Sequence, residues 1–251
     1  MPSLCGSTLI GWTLAPLNLL IFAIILLAFH PIQIFALKVF GYRVHKLSVD
    51  VIDWLLLLSL KLCGASIQIV CECSMPAGRP LIVISNHQSL YDIPLLGWVF
   101  RQHHLKYVAK KELGKGIPSV SYNLRHGGSV LIDRENPRQS VMALARFGRY
   151  IEEHKYAACI FPEGTRARDG VLKPFKSAGF ATLLQNAPSA LIVPVTIQDS
   201  WRLIRYGFVP VPFGVKLKCQ VFAPMEQEGK DPKLLLQEAE LRIRSALAEK
   251  E

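Results

Sequence analysis

His87 and Asp92 lie five residues apart in Asn86-His-Gln-Ser-Leu-Tyr-Asp92, directly after the apolar run Leu81–Ser85. On an ideal helix five residues turn about 140° beyond one full revolution, so the two side chains cannot meet as helix neighbours. They meet if His87 stands on the loop leaving a strand and Asp92 at the entry of the next helix. Pro94 puts that entry near Asp92, because proline is tolerated in a first helical turn. A carboxylate that holds one imidazole nitrogen leaves the other free to act as a base. No GxSxG elbow supplies a serine nucleophile, so the hydroxyl such a base would activate belongs to a substrate. Spacing alone leaves a second reading open, in which Asp92 only caps a helix and His87 is structural.

A second cluster, Phe161-Pro162-Glu163-Gly164-Thr165-Arg166, also follows an apolar run. Glycine lets backbone approach a ligand, and arginine offers a planar fork to a phosphate. Further basic residues stand at Lys106, Lys110, Lys111, Lys115, Arg125 and Arg134. For several of them a solvated face or an anionic lipid surface is sufficient reason. The cysteines at 5, 63, 71, 73, 159 and 219 form no CxxC pair. That speaks against a zinc site or a disulfide framework, and reduced thiols are expected.

Four segments taken together resemble the motifs of the glycerolipid acyltransferases. NHQSLYD (86–92) is similar to their NHxxxxD motif and GGSVLIDR (127–134) to their second. FPEGTR (161–166), with RDGVLKPFKSAG (168–179), is similar to the third, and IVPVTI (192–197) to the fourth. All four occur in order. The subgroup they resemble most is the 1-acyl-sn-glycerol-3-phosphate (lysophosphatidic acid) acyltransferases. Leu131 and Ala178 depart from the usual Phe and Gly, which bears on acyl-chain and acceptor preference.

The resemblance implies acyl transfer from a thioester, acyl-CoA or acyl carrier protein, to the sn-2 hydroxyl of lysophosphatidic acid, giving phosphatidic acid for phospholipid synthesis. His87 would then be the general base and Asp92 its orienting partner. Arg134 and Arg166 become candidates for the acceptor phosphate, assisted by Lys110 or Lys111. Glu163, Gly164 and Thr165 would hold the motif loop, and Pro194 would shape a pocket wall. No metal and no bound cofactor is expected, because a thioester is already activated. Another lyso-lipid acceptor, such as a lyso-ornithine lipid, and a non-catalytic membrane-binding protein of the same fold are the alternatives.

These groups need a frame. Short Val- and Ile-rich runs predict strands at 67–73, 81–85, 105–109, 129–132, 157–161, 191–197 and 215–222. Helices are expected near 93–101, 118–126, 138–154, 175–187 and 233–249. The last carries Leu235, Ala239, Ile243 and Leu247 as an amphipathic stripe. The alternation argues for an α/β fold with a mostly parallel central sheet flanked by helices.

Ahead of this frame, residues 1–37 contain no Lys, Arg, Asp or Glu, whereas the whole chain of 251 residues carries a net charge of +10. Leu9 to Phe29 is long enough to cross a hydrocarbon core of about 30 Å. Met1 to Thr8 lacks the basic residues of a signal peptide. Val51–Cys63 is a second apolar run, interrupted by Asp53 and Lys61. It reads as an interfacial helix or the second arm of a hairpin dipping into one leaflet. Lys38, Arg43 and Lys46 follow the first run, which puts the rest of the chain on the cytoplasmic face of the inner or plasma membrane. The expected division is a membrane-anchoring part, 1–65, and an α/β domain, 66–251. The positive charge suits a phospholipid membrane and a phosphorylated substrate. Nucleic acid is not expected, since no base-stacking aromatic motif accompanies the basic residues.

Overall fold

The computed structural model describes residues 4–207, 211–227 and 229–249, with side chains described from Gly11 onward. Helices α1 (Leu4–Phe35) and α2 (Tyr42–Ser59) come first. Strands β1 (Ser66–Cys71) and β2 (Leu81–Ser85), helix α3 (Asp92–Val99), strand β3 (Lys106–Lys110), helix α4 (Val120–His126) and strand β4 (Val130–Ile132) follow. Helix α5 (Pro137–His154), strand β5 (Ala157–Ile160), helix α6 (Ser177–Gln185), strands β6 (Leu191–Gln198) and β7 (Lys216–Val221), and helix α7 (Pro232–Ala248) complete the order.

The strands form one seven-stranded sheet in the order β1-β7-β6-β2-β5-β3-β4. Every pairing is parallel except β6 with β7. The expected α/β class with a mostly parallel sheet is therefore what the chain adopts. Side chains alternate across the strands, so each face of the sheet has its own core. Leu81, Val83, Val193 and Cys159 pack with Leu57 of α2, Leu95 and Leu96 of α3, and Leu124 of α4. Ile82, Ile84 and Ile192 pack with Phe147 of α5, Phe180 of α6 and Ile243 of α7.

Pro194 lies inside β6, opposite Ile84. A proline is tolerated there because the β6–β7 ladder begins only at Val195, beyond an isolated bridge from Ile192 to Met225. Its partner Ile84 is one residue short of the end of β2, whereas β6 itself runs four residues further, to Gln198.

Residues 11–40 are long and apolar enough to cross a membrane by length and composition. Helix α1 and the wider π-helical turn Ala36–Phe40 end at Gly41, whose φ of +78° favours glycine and folds the chain back. The second helix then starts at Tyr42, nine residues ahead of the apolar run at 51. Its first turns bury His45, Lys46 and Ser48 rather than aliphatic side chains. Hydropathy has no signal for such a start.

One side of α1 is held to the rest by polar contacts. Asn18 Nδ2 donates to the Ser59 carbonyl (2.8 Å), and the Tyr91 hydroxyl donates to Asn18 Oδ1 (3.0 Å). Ser119 Oγ donates to the Leu26 carbonyl (2.7 Å). Trp12, Leu20, Leu27 and Phe35 of α1 and Leu47, Trp54 and Leu58 of α2 are exposed.

Candidate active site

Strands β6, β2 and β5 are neighbours and run in the same direction, so the loops leaving their carboxyl ends converge. Such a rim is where open α/β sheets place ligands. Asn86 fastens the first loop to β6: its Oδ1 accepts the Ile197 N–H and its Nδ2 donates to the Ile197 carbonyl, both at 2.8 Å. His87 comes next, clear of any helix, and Asp92 opens α3. Their side chains meet, with His87 Nδ1 2.8 Å from Asp92 Oδ2.

The tautomer follows from the surroundings of Asp92, which is fully buried. Its Oδ2 also accepts the N–H groups of Gln88 (2.6 Å) and Ser89 (2.8 Å). Its Oδ1 accepts the hydroxyls of Ser200 (2.6 Å) and Ser89 (3.2 Å). Asp92 is an acceptor to every one of these partners, so Nδ1 of His87 carries the hydrogen and Nε2 of the neutral ring is left without one. The His87 side chain is 17% exposed, enough to be reached from outside. One flat face stacks on Phe161, with centroids 4.1 Å apart and planes inclined at 20°. Asp92 does not act as an N-cap: α3 is preceded by Tyr91, which makes no side-chain cap bond, and the Asp92 carboxylate instead gathers the N–H groups and the Ser89 hydroxyl of the turn ahead of the helix around the imidazole contact.

The loop after β5 is stitched to the histidine. Glu163 is buried, and its Oε1 accepts the His87 N–H at 2.7 Å. Its Oε2 accepts the Lys173 N–H at 3.0 Å. In return the His87 carbonyl accepts the Ala167 N–H at 2.7 Å. Burial pushes the Glu163 carboxyl up, and the two N–H groups pull it partly back. Gly164 turns the loop at φ +74°. Its carbonyl accepts from the Arg134 guanidinium, thirty residues earlier in the chain. Thr165 is exposed and Arg166 half-buried on the same loop. Among the described residues no carboxylate pairs with Arg166.

The other basic candidates divide. Lys110 is exposed at the carboxyl end of β3, on the same rim. Lys111 pairs with Asp133 at 2.5 Å. Lys106 is at the opposite end of β3 and is buried, so it belongs neither to the rim nor to a solvated face. Pro194 lies in β6, opposite Ile84 of β2. Two neighbours of the pair, Phe161 and Ser200, carry no role in the reading of the sequence. Phe161 had a signal in its place at the strand end. Ser200 had none, because 108 residues separate it from Asp92.

Residues 66–198 match the family model described as Acyltransferase. The 1-acyl-sn-glycerol-3-phosphate acyltransferase of Saccharomyces cerevisiae is 32% identical over 148 residues, 57% of this chain and 47% of that protein. The enzyme of that name from Haemophilus influenzae is 28% identical over 149 residues, 59% of each chain. The chain spans about half the length of most of the curated relatives it matches. The crystal structure of the 1-acyl-sn-glycerophosphate (LPA) acyltransferase PlsC from Thermotoga maritima shares the fold, with a TM-score of 0.75 over 97% of each chain at 21% identity. The matched segment runs from β1 to the end of β6 and contains His87, Asp92 and the Glu163 loop, and the chain belongs to the Acyltransferase family.

Proposed function

We propose that the protein moves a fatty acyl group from a thioester, acyl-CoA or acyl carrier protein, to the sn-2 hydroxyl of 1-acyl-sn-glycerol 3-phosphate, giving phosphatidic acid. The observation that carries this reading is the His87–Asp92 contact, which leaves an unprotonated Nε2 on a reachable ring edge. Nε2 takes the proton of the acceptor hydroxyl as its oxygen attacks the thioester carbonyl. The imidazolium that forms is stabilised by Asp92 and returns the proton to the departing thiolate. No acyl-enzyme is formed, and the thioester supplies the activation, so the reaction calls for no metal and no bound cofactor.

Arg166 is the first candidate for the acceptor phosphate, since its loop is bonded to the His87 backbone and it has no carboxylate partner among the described residues. Arg134 and Lys110 lie further along the rim, and Lys111 joins them if Asp133 releases it. Glu163 holds the backbone of both motif loops.

The substrate explains the apolar hairpin. Drawing a 16-carbon chain into water costs on the order of 10 kcal/mol at about 0.8 kcal/mol per CH₂. An enzyme docked on a phospholipid leaflet through the exposed faces of α1 and α2 avoids that cost. Lys38, Arg43 and Lys46 after the first helix favour the cytoplasmic leaflet.

The test is a purified full chain with radiolabelled acyl-CoA and a panel of lyso-lipids. Lysophosphatidic acid is expected to be the preferred acceptor, and a strong preference for a phosphate-free lipid would overturn that choice. His87→Ala is expected to lower turnover by roughly 10²- to 10⁴-fold. Activity surviving within a few-fold would remove His87 as the base.

A further inference from the structure

We infer that Ser200 is a positioning residue for the catalytic pair: from the turn that follows β6, its hydroxyl fixes the rotation and charge of the Asp92 carboxylate. The inference rests on the proposed role of His87 as base.

The two oxygens of Asp92 are held differently. Oδ2 has three donors, the imidazole and two backbone N–H groups of its own loop. Oδ1 has two hydroxyls, and only Ser200 is close, at 2.6 Å against 3.2 Å for Ser89. The Ser89 hydroxyl has a second task, accepting the Tyr91 N–H at 3.1 Å. Ser200 is fully buried. Its nearest alternative partner is Gln88 Oε1 at 3.3 Å, so its one proton goes to the shorter contact with the carboxylate.

The chain is built to keep it there. Asp199, a non-glycine residue at φ +62°, turns the backbone inward immediately after β6. Asn86 locks the ends of β2 and β6 together at Ile197. Trp201 closes over Gly170 so tightly that a Cβ there would stand 2.4 Å from the indole nitrogen. The segment bearing Ser200 is thus fixed against both loops of the site.

A hydroxyl donating to Oδ1 does two things. It stops the carboxylate from rotating, which keeps the Oδ2 lone pair on Nδ1–H. It also draws negative charge away from Oδ2, so the carboxylate holds the imidazolium less tightly and the ring is released to its neutral, basic form. Removing the hydroxyl leaves a buried oxygen short of a donor and a carboxylate that binds the protonated ring more strongly.

The experiment compares the full chain in detergent with Ser200→Ala and Ser200→Cys, the cysteine keeping the shape with a weaker donor. Turnover and KM are measured across pH, and the His87 ring is titrated by NMR, assigned against His87→Ala. Ser200→Ala is expected to lower kcat by roughly 10- to 100-fold with KM within twofold. The acid limb of the kcat profile and the ring's titration midpoint are expected to move upward together by about half a pH unit or more, with cysteine between. An unmoved midpoint in the variant that folds overturns the inference, whatever happens to turnover, because a merely structural serine would not change the ring's protonation. If the wild-type chain transfers no acyl group, the proposed function fails, and the midpoints still decide the case of Ser200.

Discussion

An imidazole that works as a base must offer one bare nitrogen, and at this site the proton map around Asp92 supplies it. Asp92→Asn tests that map. An asparagine has one acceptor oxygen where two are in use, and its amide would meet Nδ1–H or the Ser200 hydroxyl as a donor. The ring is then driven to the tautomer with its hydrogen on Nε2, the nitrogen required bare. A loss of about 10³- to 10⁴-fold in kcat is expected with KM little changed, read from steady-state kinetics. The pair was legible in the sequence because both members lie within one strand-to-helix turn, where spacing constrains geometry. Glu163 and Arg166 were legible through the motif they share. The stacking of Phe161 on the ring and the reach of Ser200 to the carboxylate were not, since they arise only when β5 and β6 settle on either side of β2.

Strands and helices were legible wherever a local signal marked them. The first helical residues after Asn136 and Asp231 are prolines, and each preceding side chain accepts a backbone N–H, from Gln139 and Lys233. The expected helices at 138–154 and 233–249 accordingly match α5 and α7 to within a residue. The start of α2 was not legible, because buried His45, Lys46 and Ser48 replace an apolar stripe with hydrogen bonds. Gly148 marks a different kind of information. A glycine inside a helical pattern costs about 1 kcal/mol relative to alanine, so its presence in α5 asks for a packing reason. The reason is α6: a Cβ on Gly148 would lie 2.7 Å from Asn186 Cβ and 3.0 Å from the Leu183 carbonyl. One of these atoms is backbone, so the contact is not relieved by a rotamer change. Gly148→Ala is expected to be destabilising by about 1–2 kcal/mol net, overpacking exceeding the gain in helix propensity. Denaturant unfolding of the detergent-solubilised chain checks this, and a more stable variant would mean that α5 and α6 separate at little cost.

At the scale of the whole molecule the seam between hairpin and sheet combines an apolar outer face with a polar inner one. If the outer face docks on lipid, Leu47→Glu with Trp54→Glu should release the chain from anionic vesicles in a flotation assay. The paired substitutions should leave the isolated fold intact, because both side chains are exposed. The inner face has its own chemistry at Lys106, where β3 begins. Its ammonium donates to the Tyr42 hydroxyl at 2.7 Å and lies 4.7 Å from the centre of that ring, with Tyr156 on another side. The Tyr42 hydroxyl also meets His104 Nδ1 at 2.7 Å, while Lys46 is occupied by Asp50. Burial, with the nearby Lys46 charge as a smaller cause, brings Lys106 down to about 7. In the unfolded chain the same lysine titrates near 10.4. At this group the folded protein therefore binds fewer protons than the unfolded one between these values, and the Lys106 contribution to stability rises with pH across that window, by at most about 1.4 kcal/mol per pH unit. Below pH 7 both states are protonated and the contribution is flat. From about pH 8.5 the buried thiols of Cys63, Cys159 and Cys219 oppose this trend, since burial pushes them upward and only the unfolded chain ionises there; above pH 10 the Tyr42 phenol, also raised by burial, adds to the fall. Thermal unfolding is thus expected to show a rising melting temperature from pH 7 to about 8 and a fall at higher pH. Lys106→Met should flatten the rising limb while leaving the alkaline fall. A variant that keeps the wild-type slope between pH 7 and about 8 would show that some other group joins the hairpin to the sheet through its proton.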